Sequence, residues 1–285
     1  MQANHVFQDI IHDIINDGAV SQPRDMKVNE LTIDQRVFDP TKTIADFTSR
    51  KFNWKYFAGE LAWYMSKDRD VDYIGQFSGM WSTLTNPDSN EINSNYGSLL
   101  FGDQLKWVVD SLKSDKNTRQ AIAFLNQPKF QFEGNKDFVC TMYLNFFIRD
   151  NKLNMKVQMR SNDVFYGLTF DAPFFSFIQQ HVRLWLLETY PELELGNYYH
   201  CADNIHFYER HFELANKIDT KATGTQYQMK IEKPLFYIDD DSESRLTMCG
   251  SRFIEDVNSV IGTESFTKGY YHNMLSQYLN INIVS

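Results

Sequence analysis

Glycine and proline are scarce in this 285-residue chain, with 13 and 7 residues respectively. Their combined share is below the usual average of roughly 12%, which argues against long linkers, collagen-like repeats and low-complexity tracts. No apolar run approaches the roughly 18 residues that span a bilayer, and residues 1–18 are too acidic and polar for a signal peptide. We therefore expect a single globular domain over residues 1–285, cytoplasmic and without a membrane partner.

Cysteines and clusters of basic residues are equally scarce. Cys140, Cys201 and Cys249 are odd in number and widely spaced, so they indicate neither a disulfide framework nor a zinc site. The chain has 28 Lys and Arg against 37 Asp and Glu, a formal net charge of -9, and no basic run. Binding a nucleic acid polymer requires such runs. These absences predict no metal and no polymer partner, while a small phosphate could still be held by a few arginines.

Aromatic residues, by contrast, make up 15% of the chain, and many of them lie in segments with helical spacing. Residues 2–17 place their apolar side chains on one face, which predicts an amphipathic helix. Residues 53–66 carry aromatic side chains on most sides, which predicts a buried helix with Asn53 as its N-cap. Glu60 lies in the middle of that helix. It is either an exposed acid or a buried functional one.

Two strands joined by a short polar turn are predicted on either side of Asn151 and Lys152, because apolar and polar residues alternate over residues 153–160. A two-residue loop at Asn151-Lys152 would place Tyr143 opposite Arg160 and Cys140 opposite Asp163, and a slip of one residue would keep the same neighbourhood. Cys140, Arg160 and Asp163 would then lie close together at one end of the hairpin.

A long core helix is predicted over residues 170–190, with Asp171 and Pro173 at its start. His206 and Tyr208, two residues apart in a predicted strand, share one face of it. Long strands and long helices in mixed order predict an α/β fold of the α+β type, with a large mixed sheet layered with helices.

The run MRSNDVFYGLTFDAPFF at residues 159–175 resembles the signature of the thymidylate synthase family, in which an Arg-Ser-x-Asp strand end precedes a Gly and then a Phe-Asn pair. The resemblance covers about residues 20–215 and implies the thymidylate synthase fold and a homodimer. Residues after about 215 carry no recognisable motif of the family. Further residues occur in family order at similar spacing: Glu60, Trp81, Tyr96, Gly97, Arg119, Cys140, His206, Phe207 and Tyr208.

The resemblance also implies roles for individual residues. Cys140 is the implied nucleophile, Glu60 moves protons through ordered water, and Asp171 holds the base. Trp81, Asp163 and Gly167 would contact the co-substrate, 5,10-methylenetetrahydrofolate. The implied nucleotide ligands are Arg24, Arg160 and Ser161 at the phosphate, Arg119 from the partner subunit, Asn162, Asp171, and His206 with Tyr208 at the sugar 3′-OH. Gln120 replaces a second arginine often found beside Arg119, so the partner's contact is expected to be weaker.

Each of these residues also has a structural interpretation. A lone cysteine such as Cys140 is often an inert buried thiol, since a reactive one needs a nearby cation. Arg24 and Arg119 could be ordinary surface cations. His206 and Tyr208 could be a satisfied core pair, and Asp171 could simply cap its helix.

Asp171 is the main departure from the family, whose synthases have Asn there. Cytosine presents an amino donor and an acceptor at N3, which a protonated Asp can pair with while leaving uracil poorly matched. Several stretches resemble the phage deoxycytidylate hydroxymethylases: EINSNYG at 91–97, DFVCT at 137–141, MRSNDV at 159–164 and HFYERHF at 206–212.

The resemblance therefore implies a dCMP hydroxymethylase, which would be located in the host cytoplasm if the source is a virus. Its rivals are a cytidylate methylase, a ribonucleotide hydroxymethylase, a thymidylate synthase if Asp171 tolerates uracil, and a nucleotide- or RNA-binding module without turnover.

Overall fold

The computed structural model describes residues 2–86, 89–239, 241, 243–261 and 268–284. Within these residues the α-helices are α1 Ala3–Asp17, α2 Trp54–Ser66, α3 Val71–Gly75, α4 Tyr96–Leu100, α5 Asp103–Ser114, α6 Thr169–Leu186, α7 Phe212–Thr220, α8 Met248–Ser259 and α9 Lys268–Leu279. The strands are β1 Ala19–Ser21, β2 Val28–Phe38, β3 Ala45–Phe47, β4 Ile122–Phe124, β5 Thr141–Arg149, β6 Lys152–Met159, β7 Asn162–Asp163, β8 Glu194–Tyr208, β9 Gly224–Met229, β10 Phe236–Ile238, β11 Ser244–Leu246 and β12 Ile281–Ile283.

The main sheet has the strand order β1-β2-β8-β6-β5-β4, with β7 also pairing with β8. Strand β8 runs parallel to β6 and β7 and antiparallel to β2, so the sheet is mixed. Two smaller sheets, β12-β9-β3 and β10-β11, lie outside it. The predicted large mixed sheet layered with helices is confirmed. The extent of the catalytic domain, residues 1–285, stays a prediction.

Helix α6 packs on one face of the main sheet and is buried along most of its length. The side chain of Gln179 in this helix donates to Leu153 O of β6 at 2.9 Å, which ties the two layers together. Because aromatic and aliphatic residues lie on every side of α6, water must be excluded all around it. Helix α2 is buried in the same way and begins where predicted, with Asn53 Oδ1 accepting from Tyr56 N at 3.1 Å.

The β5–β6 hairpin corrects the predicted register. Its loop is Asp150-Asn151 rather than Asn151-Lys152, and both loop residues have positive φ, 50° and 57°. Asp and Asn tolerate that conformation and are favoured in tight hairpin turns. An irregularity between Thr141 and Tyr143 shifts the register once more.

The shifted register changes which residues face one another at the end of the hairpin. Tyr143 pairs with Gln158, and Arg160 N donates to Cys140 O at 2.9 Å. Cys140 therefore lies opposite Arg160, not Asp163. The neighbourhood survived because the error was only two to three positions along the partner strand.

Helix α6 also begins earlier than predicted. A π-helical turn, Val164–Leu168, follows β7 directly and runs into α6, so that Asp171 lies within the first turn of α6. Asp163 Oδ1 accepts from Phe165 N at 2.7 Å and Tyr166 N at 2.5 Å and so caps the π-helical turn. Asp171 is not the cap: position Leu168 precedes the helix, without a side-chain capping bond.

Candidate active site

A cavity of about 220 Å³ opens where the ends of β5, β6, β7 and β8 meet α2 and the start of α6. It gathers residues that are widely separated in sequence. Arg119 lies outside it, on an exposed segment before β4. The other predicted site residues all line the cavity: Arg24, Glu60, Trp81, Cys140, Arg160, Ser161, Asn162, Asp163, Gly167, Asp171, His206 and Tyr208.

Cys140 lies beside a cation, as a reactive thiol requires. Arg160 Nη2 is 3.5 Å from Cys140 Sγ, and its other bonds, to Phe138 O and Val139 O, hold the guanidinium against the segment that carries the thiol. Burial raises the pKa of Cys140, while the charges of Arg160 and Arg24 lower it. The site thus withdraws the sulfur partly from water and supplies positive charge that stabilises a thiolate.

Glu60 is buried, with only 6% of its surface exposed. Tyr56 OH donates to Glu60 Oε1 at 2.7 Å and accepts from Trp81 Nε1 at 3.0 Å. Burial raises the pKa of Glu60 to about 8, and the bond from Tyr56 opposes this only partly. Glu60 can therefore release or take up a proton close to neutral pH, as general acid-base catalysis requires.

Asp171 is a second carboxylic acid at the cavity. Asn162 Nδ2 donates to Asp171 Oδ2 at 2.7 Å. Burial raises the pKa of Asp171 to about 6, and the bond from Asn162 opposes that shift. An acid with this pKa changes its protonation state readily, so it can act as a donor as well as an acceptor.

At the other end of the cavity, His206 is held in one tautomer by a chain of hydrogen bonds. Asn204 Nδ2 donates to Glu30 Oε2 at 2.8 Å, so Asn204 Oδ1 is left to accept from His206 Nδ1 at 2.9 Å. Burial lowers the pKa of His206 to about 4, which keeps the ring neutral. Its Nε2 is then a free acceptor near Tyr208, whose ring lies 5.4 Å away on the same face of β8.

Arg24 reaches the cavity from the loop before β2. It adopts a left-handed conformation, with φ of 52° and ψ of 39°, in the short helical turn Pro23–Asp25. This is uncommon for a residue with a Cβ, and it places a cation opposite the hairpin end that carries Arg160 and Ser161. The arrangement provides guanidinium groups and a hydroxyl suited to a phosphate.

A second cavity, of about 380 Å³, adjoins the first and shares Tyr56, Met80, Tyr166 and Phe170 with it. The sequence predictions missed this cavity and its two arginines: Arg50 occurs in a segment with no motif, and Arg210 lies within the stretch HFYERHF at 206–212 but was given no role. Tyr56 could have been found, since it precedes Glu60 by four residues and so shares its helical face. The remaining lining residues are Asn53, Phe77 and Ser78.

The two cavities together suit an extended, flat, acidic molecule such as a reduced folate. Asp163 Oδ2 is buried without a hydrogen-bond partner and lies at the first cavity, where the N–H groups of a pterin could reach it. The aromatic side chains of Trp81 and Tyr166 provide flat walls. Arg50 and Arg210 provide positive charge for a carboxylate tail.

A further polar pair at the first cavity was also missed. Asp137 accepts from Ser94 N at 2.7 Å and from Ser94 Oγ at 2.5 Å, and it is 6% exposed. Burial raises the pKa of Asp137, and the charge of Arg160 lowers it. The pair joins the start of α4 to the segment that carries Cys140.

The described ranges provide neither a metal site nor a membrane span. No group of three or more His, Cys, Asp or Glu side chains there could hold a metal ion. No helix in the same ranges has both the length and the apolar character to cross a bilayer.

The fold and the cavity define a class of enzyme in which a thiol beside an arginine faces buried acids that titrate near neutral pH, with room for a nucleotide and a second flat substrate. The sequence profile described as Thymidylate synthase matches residues 5–249. The chain belongs to the thymidylate synthase family. Members of that family use methylenetetrahydrofolate as a co-substrate.

Individual relatives differ in their named substrates. Deoxyuridylate hydroxymethyltransferase of Bacillus phage SP01 is 29% identical over 71% of this chain, which spans 56% of that protein's length. Deoxycytidylate 5-hydroxymethyltransferase of Enterobacteria phage T4 is 28% identical over 70% of this chain and 86% of that protein. Thymidylate synthase of Mycoplasma genitalium is 24% identical over 73% of this chain and 83% of that protein. The family and these names support a folate-dependent one-carbon transferase of pyrimidine nucleotides.

Proposed function

We propose that this chain is a deoxycytidylate 5-hydroxymethyltransferase. It transfers the one-carbon unit of 5,10-methylenetetrahydrofolate to C5 of dCMP, with addition of water, and yields 5-hydroxymethyl-dCMP and tetrahydrofolate. The observation that carries the proposal is Asp171, a partly buried acid at the cavity with a pKa of about 6, at the position where synthases have Asn. Protonated, it offers a donor to cytosine N3 and an acceptor to the 4-amino group.

The chemistry begins with Cys140. Its thiolate adds to C6 of the pyrimidine, forming an S–C6 bond and moving an electron pair towards C5. Asp171 holds N3 and the 4-amino group and stabilises the charge that develops on the ring. Methylenetetrahydrofolate, when bound, supplies a carbon at the oxidation level of formaldehyde.

Glu60 governs the later proton transfers. After C5 has gained the new carbon and lost its proton, the bond between that carbon and the folate nitrogen breaks and tetrahydrofolate leaves with the electron pair. The ring then carries an exocyclic methylene group, to which water adds. Glu60, with a pKa of about 8, orients that water and takes up its proton, and expulsion of the Cys140 thiolate restores the aromatic ring. Trp81 and Tyr56 hold the Glu60 carboxyl in place during these steps.

The phosphate of dCMP would lie between Arg24, Arg160 and Ser161, with His206 and Tyr208 at the sugar 3′-OH. Arg119 would reach the phosphate from the partner subunit of a homodimer. The uncovered face of the main sheet supports such a dimer, because it carries partly exposed aromatic residues. Among them are Phe147 of β5 and Tyr199 of β8, the strands on either side of β6, with ring centroids 6.3 Å apart.

A second candidate substrate is dUMP, because the Bacillus phage relative is named a deoxyuridylate hydroxymethyltransferase. The test incubates the protein with methylenetetrahydrofolate and either dCMP or dUMP, and measures product mass and the oxidation state of the folate. We expect a hydroxymethyl product from dCMP, together with tetrahydrofolate. A methyl product with dihydrofolate, or a strong preference for dUMP, would contradict the proposal.

A further inference from the structure

Asn162 is packed against Asp171 in a way that orients its amide. The residue is 3% exposed and belongs to β7, whose pairing with β8 fixes its backbone opposite Ile205. Its Nδ2 donates to Asp171 Oδ2 at 2.7 Å, and its Oδ1 is buried without a hydrogen-bond partner. Within the described part of the chain, the bond to Asp171 is therefore what determines which way the amide points.

Gly167 closes the space around this pair. A Cβ at residue 167 would lie 3.2 Å from Asn162 Nδ2 and 3.2 Å from Asp171 Oδ2. Contacts that short would push on both side chains. A side chain at residue 167 would therefore require the amide and the carboxyl to move by a few tenths of an ångström.

We propose that Asn162 is a positioning residue that determines which oxygen of Asp171 carries the proton, and thereby favours cytosine over uracil. This inference rests on the function proposed above. An amide N–H donates to an oxygen that has free lone pairs, and in a protonated carboxyl the carbonyl oxygen is the better acceptor. The bond from Asn162 therefore makes Oδ2 the carbonyl oxygen and leaves the proton on Oδ1.

That placement matches one base edge. With the proton on Oδ1, Asp171 donates from Oδ1 to cytosine N3, and Oδ2 accepts from the 4-amino group with its second lone pair. Uracil has a donor at N3 and an acceptor at O4, so it requires the proton on Oδ2, the oxygen that already faces the Asn162 donor. Asn162 disfavours this second placement and hence uracil.

The reverse arrangement can be imposed by substitution. In Asn162→Asp, an acceptor faces Asp171 Oδ2 and holds the proton there, so Oδ1 presents an acceptor to N3 and repels cytosine. In Asn162→Ala, the bias is removed without being reversed. Asn216→Ala is the matched control, since this exposed asparagine of α7 bonds only its own helix backbone at Phe212 O.

The experiment measures dissociation constants of dCMP and dUMP on the full-length protein between pH 5 and 8, with kcat/KM for both nucleotides and a melting temperature for every variant. For Asn162→Ala we expect the dCMP preference to fall about three- to tenfold, the effect of one hydrogen bond. The pH above which dCMP binding weakens should rise, because the lost bond had lowered the pKa of Asp171. For Asn162→Asp the preference should fall further.

A positioning role thus predicts two results, a smaller preference for dCMP and a higher pH at which dCMP binding weakens. A merely structural role would weaken the binding of both nucleotides alike and leave the pH dependence unchanged. A wild-type preference for dCMP that neither folded variant alters would overturn the role of Asn162 alone. A wild-type preference for dUMP would overturn the proposed substrate and this role with it.

Discussion

Helix α6 carries two ionisable side chains in contrasting surroundings, the partly buried Asp171 and the fully buried His181. Asp171, in its first turn, accepts one hydrogen bond from Asn162 and lines the cavity. His181, in its middle, uses both ring nitrogens: Nδ1 donates to Phe177 O at 2.9 Å and Nε2 accepts from Leu235 N at 3.0 Å. Burial favours the neutral form of both, raising the pKa of Asp171 to about 6 and lowering that of His181 to about 4.

The two sites differ in what the burial leaves free. At His181 every polar atom is bonded, so the side chain can only join the segment at Leu235 to α6. At Asp171 a carboxyl oxygen has no protein partner among the described residues and faces a cavity that also contains Cys140 and Glu60. A buried polar side chain whose atoms are all hydrogen-bonded, such as His181, stabilises the fold. One that keeps an unbonded polar atom at a cavity, such as Asp171, can take part in binding or catalysis.

Cys140→Ala is expected to have the largest effect on activity at the cavity that Asp171 lines. Loss of the proposed nucleophile is expected to lower turnover by at least about 10³-fold, because no other thiol is among the described residues that line the cavity. Binding of dCMP should persist. Steady-state rates and calorimetric binding check both, with Cys249→Ala as the matched thiol control. Turnover within about tenfold of wild type would show that the chemistry does not use this thiol.

Asp171→Asn tests whether the free carboxyl oxygen reads the base. An amide donates to O4 and accepts from N3–H of uracil, so the kcat/KM ratio of dCMP to dUMP should fall about 10³-fold. The same exchange at Asp72, an exposed acid of α3, should leave the ratio unchanged. If Asp171→Asn keeps the wild-type ratio, the base edge is recognised elsewhere.

Much of this comparison could be predicted from the sequence, because its cavity end consists of motif residues. Residue type and order predicted Cys140, Glu60 and Asp171 as site residues. The aromatic residues around Glu60 predicted that α2 is buried. The surroundings of His181 in the core could not be predicted in the same way. His181 is satisfied by Leu235, which lies 54 residues later, and no local pattern indicates such a long-range contact.

The missed parts of the site have similar physical causes. The hairpin register depended on an irregularity near Thr141 that alternation alone does not indicate. Arg50 and Arg210 approach the second cavity only after the whole chain has packed. Helix α6 begins at Thr169, because the π-helical turn Val164–Leu168 runs directly into it, whereas Pro173 indicated a start close to Asp171. Arg119 lies outside the cavity, and its role at the phosphate of a partner subunit stays a prediction.

His181→Gln addresses the structural end of α6. Unfolded His takes up a proton below about pH 6.5, but the folded chain does so only near pH 4, so stability is lost as the pH falls between these values. Over that window the variant should lose less unfolding free energy than wild type, by roughly 3 kcal/mol. Urea unfolding at several pH values measures this, with the exposed His5→Gln as control. Parallel curves for wild type and His181→Gln would contradict it.

Glu60→Gln has the smallest expected effect. Glu60 lies between the two cases of Asp171 and His181, because it is a buried acid of the cavity with a hydrogen bond from Tyr56 to one carboxyl oxygen. Turnover should fall about 10²-fold through loss of proton transfer. In wild type, kcat/KM should show a pH limb near 8, absent from Glu60→Gln, because that limb reports the Glu60 carboxyl. Tyr56→Phe should move the limb to higher pH, since the Tyr56 bond lowers the pKa of Glu60. Glu188→Gln, an exposed acid, serves as control. A limb that stays near pH 8 in Glu60→Gln would assign that ionisation to another group.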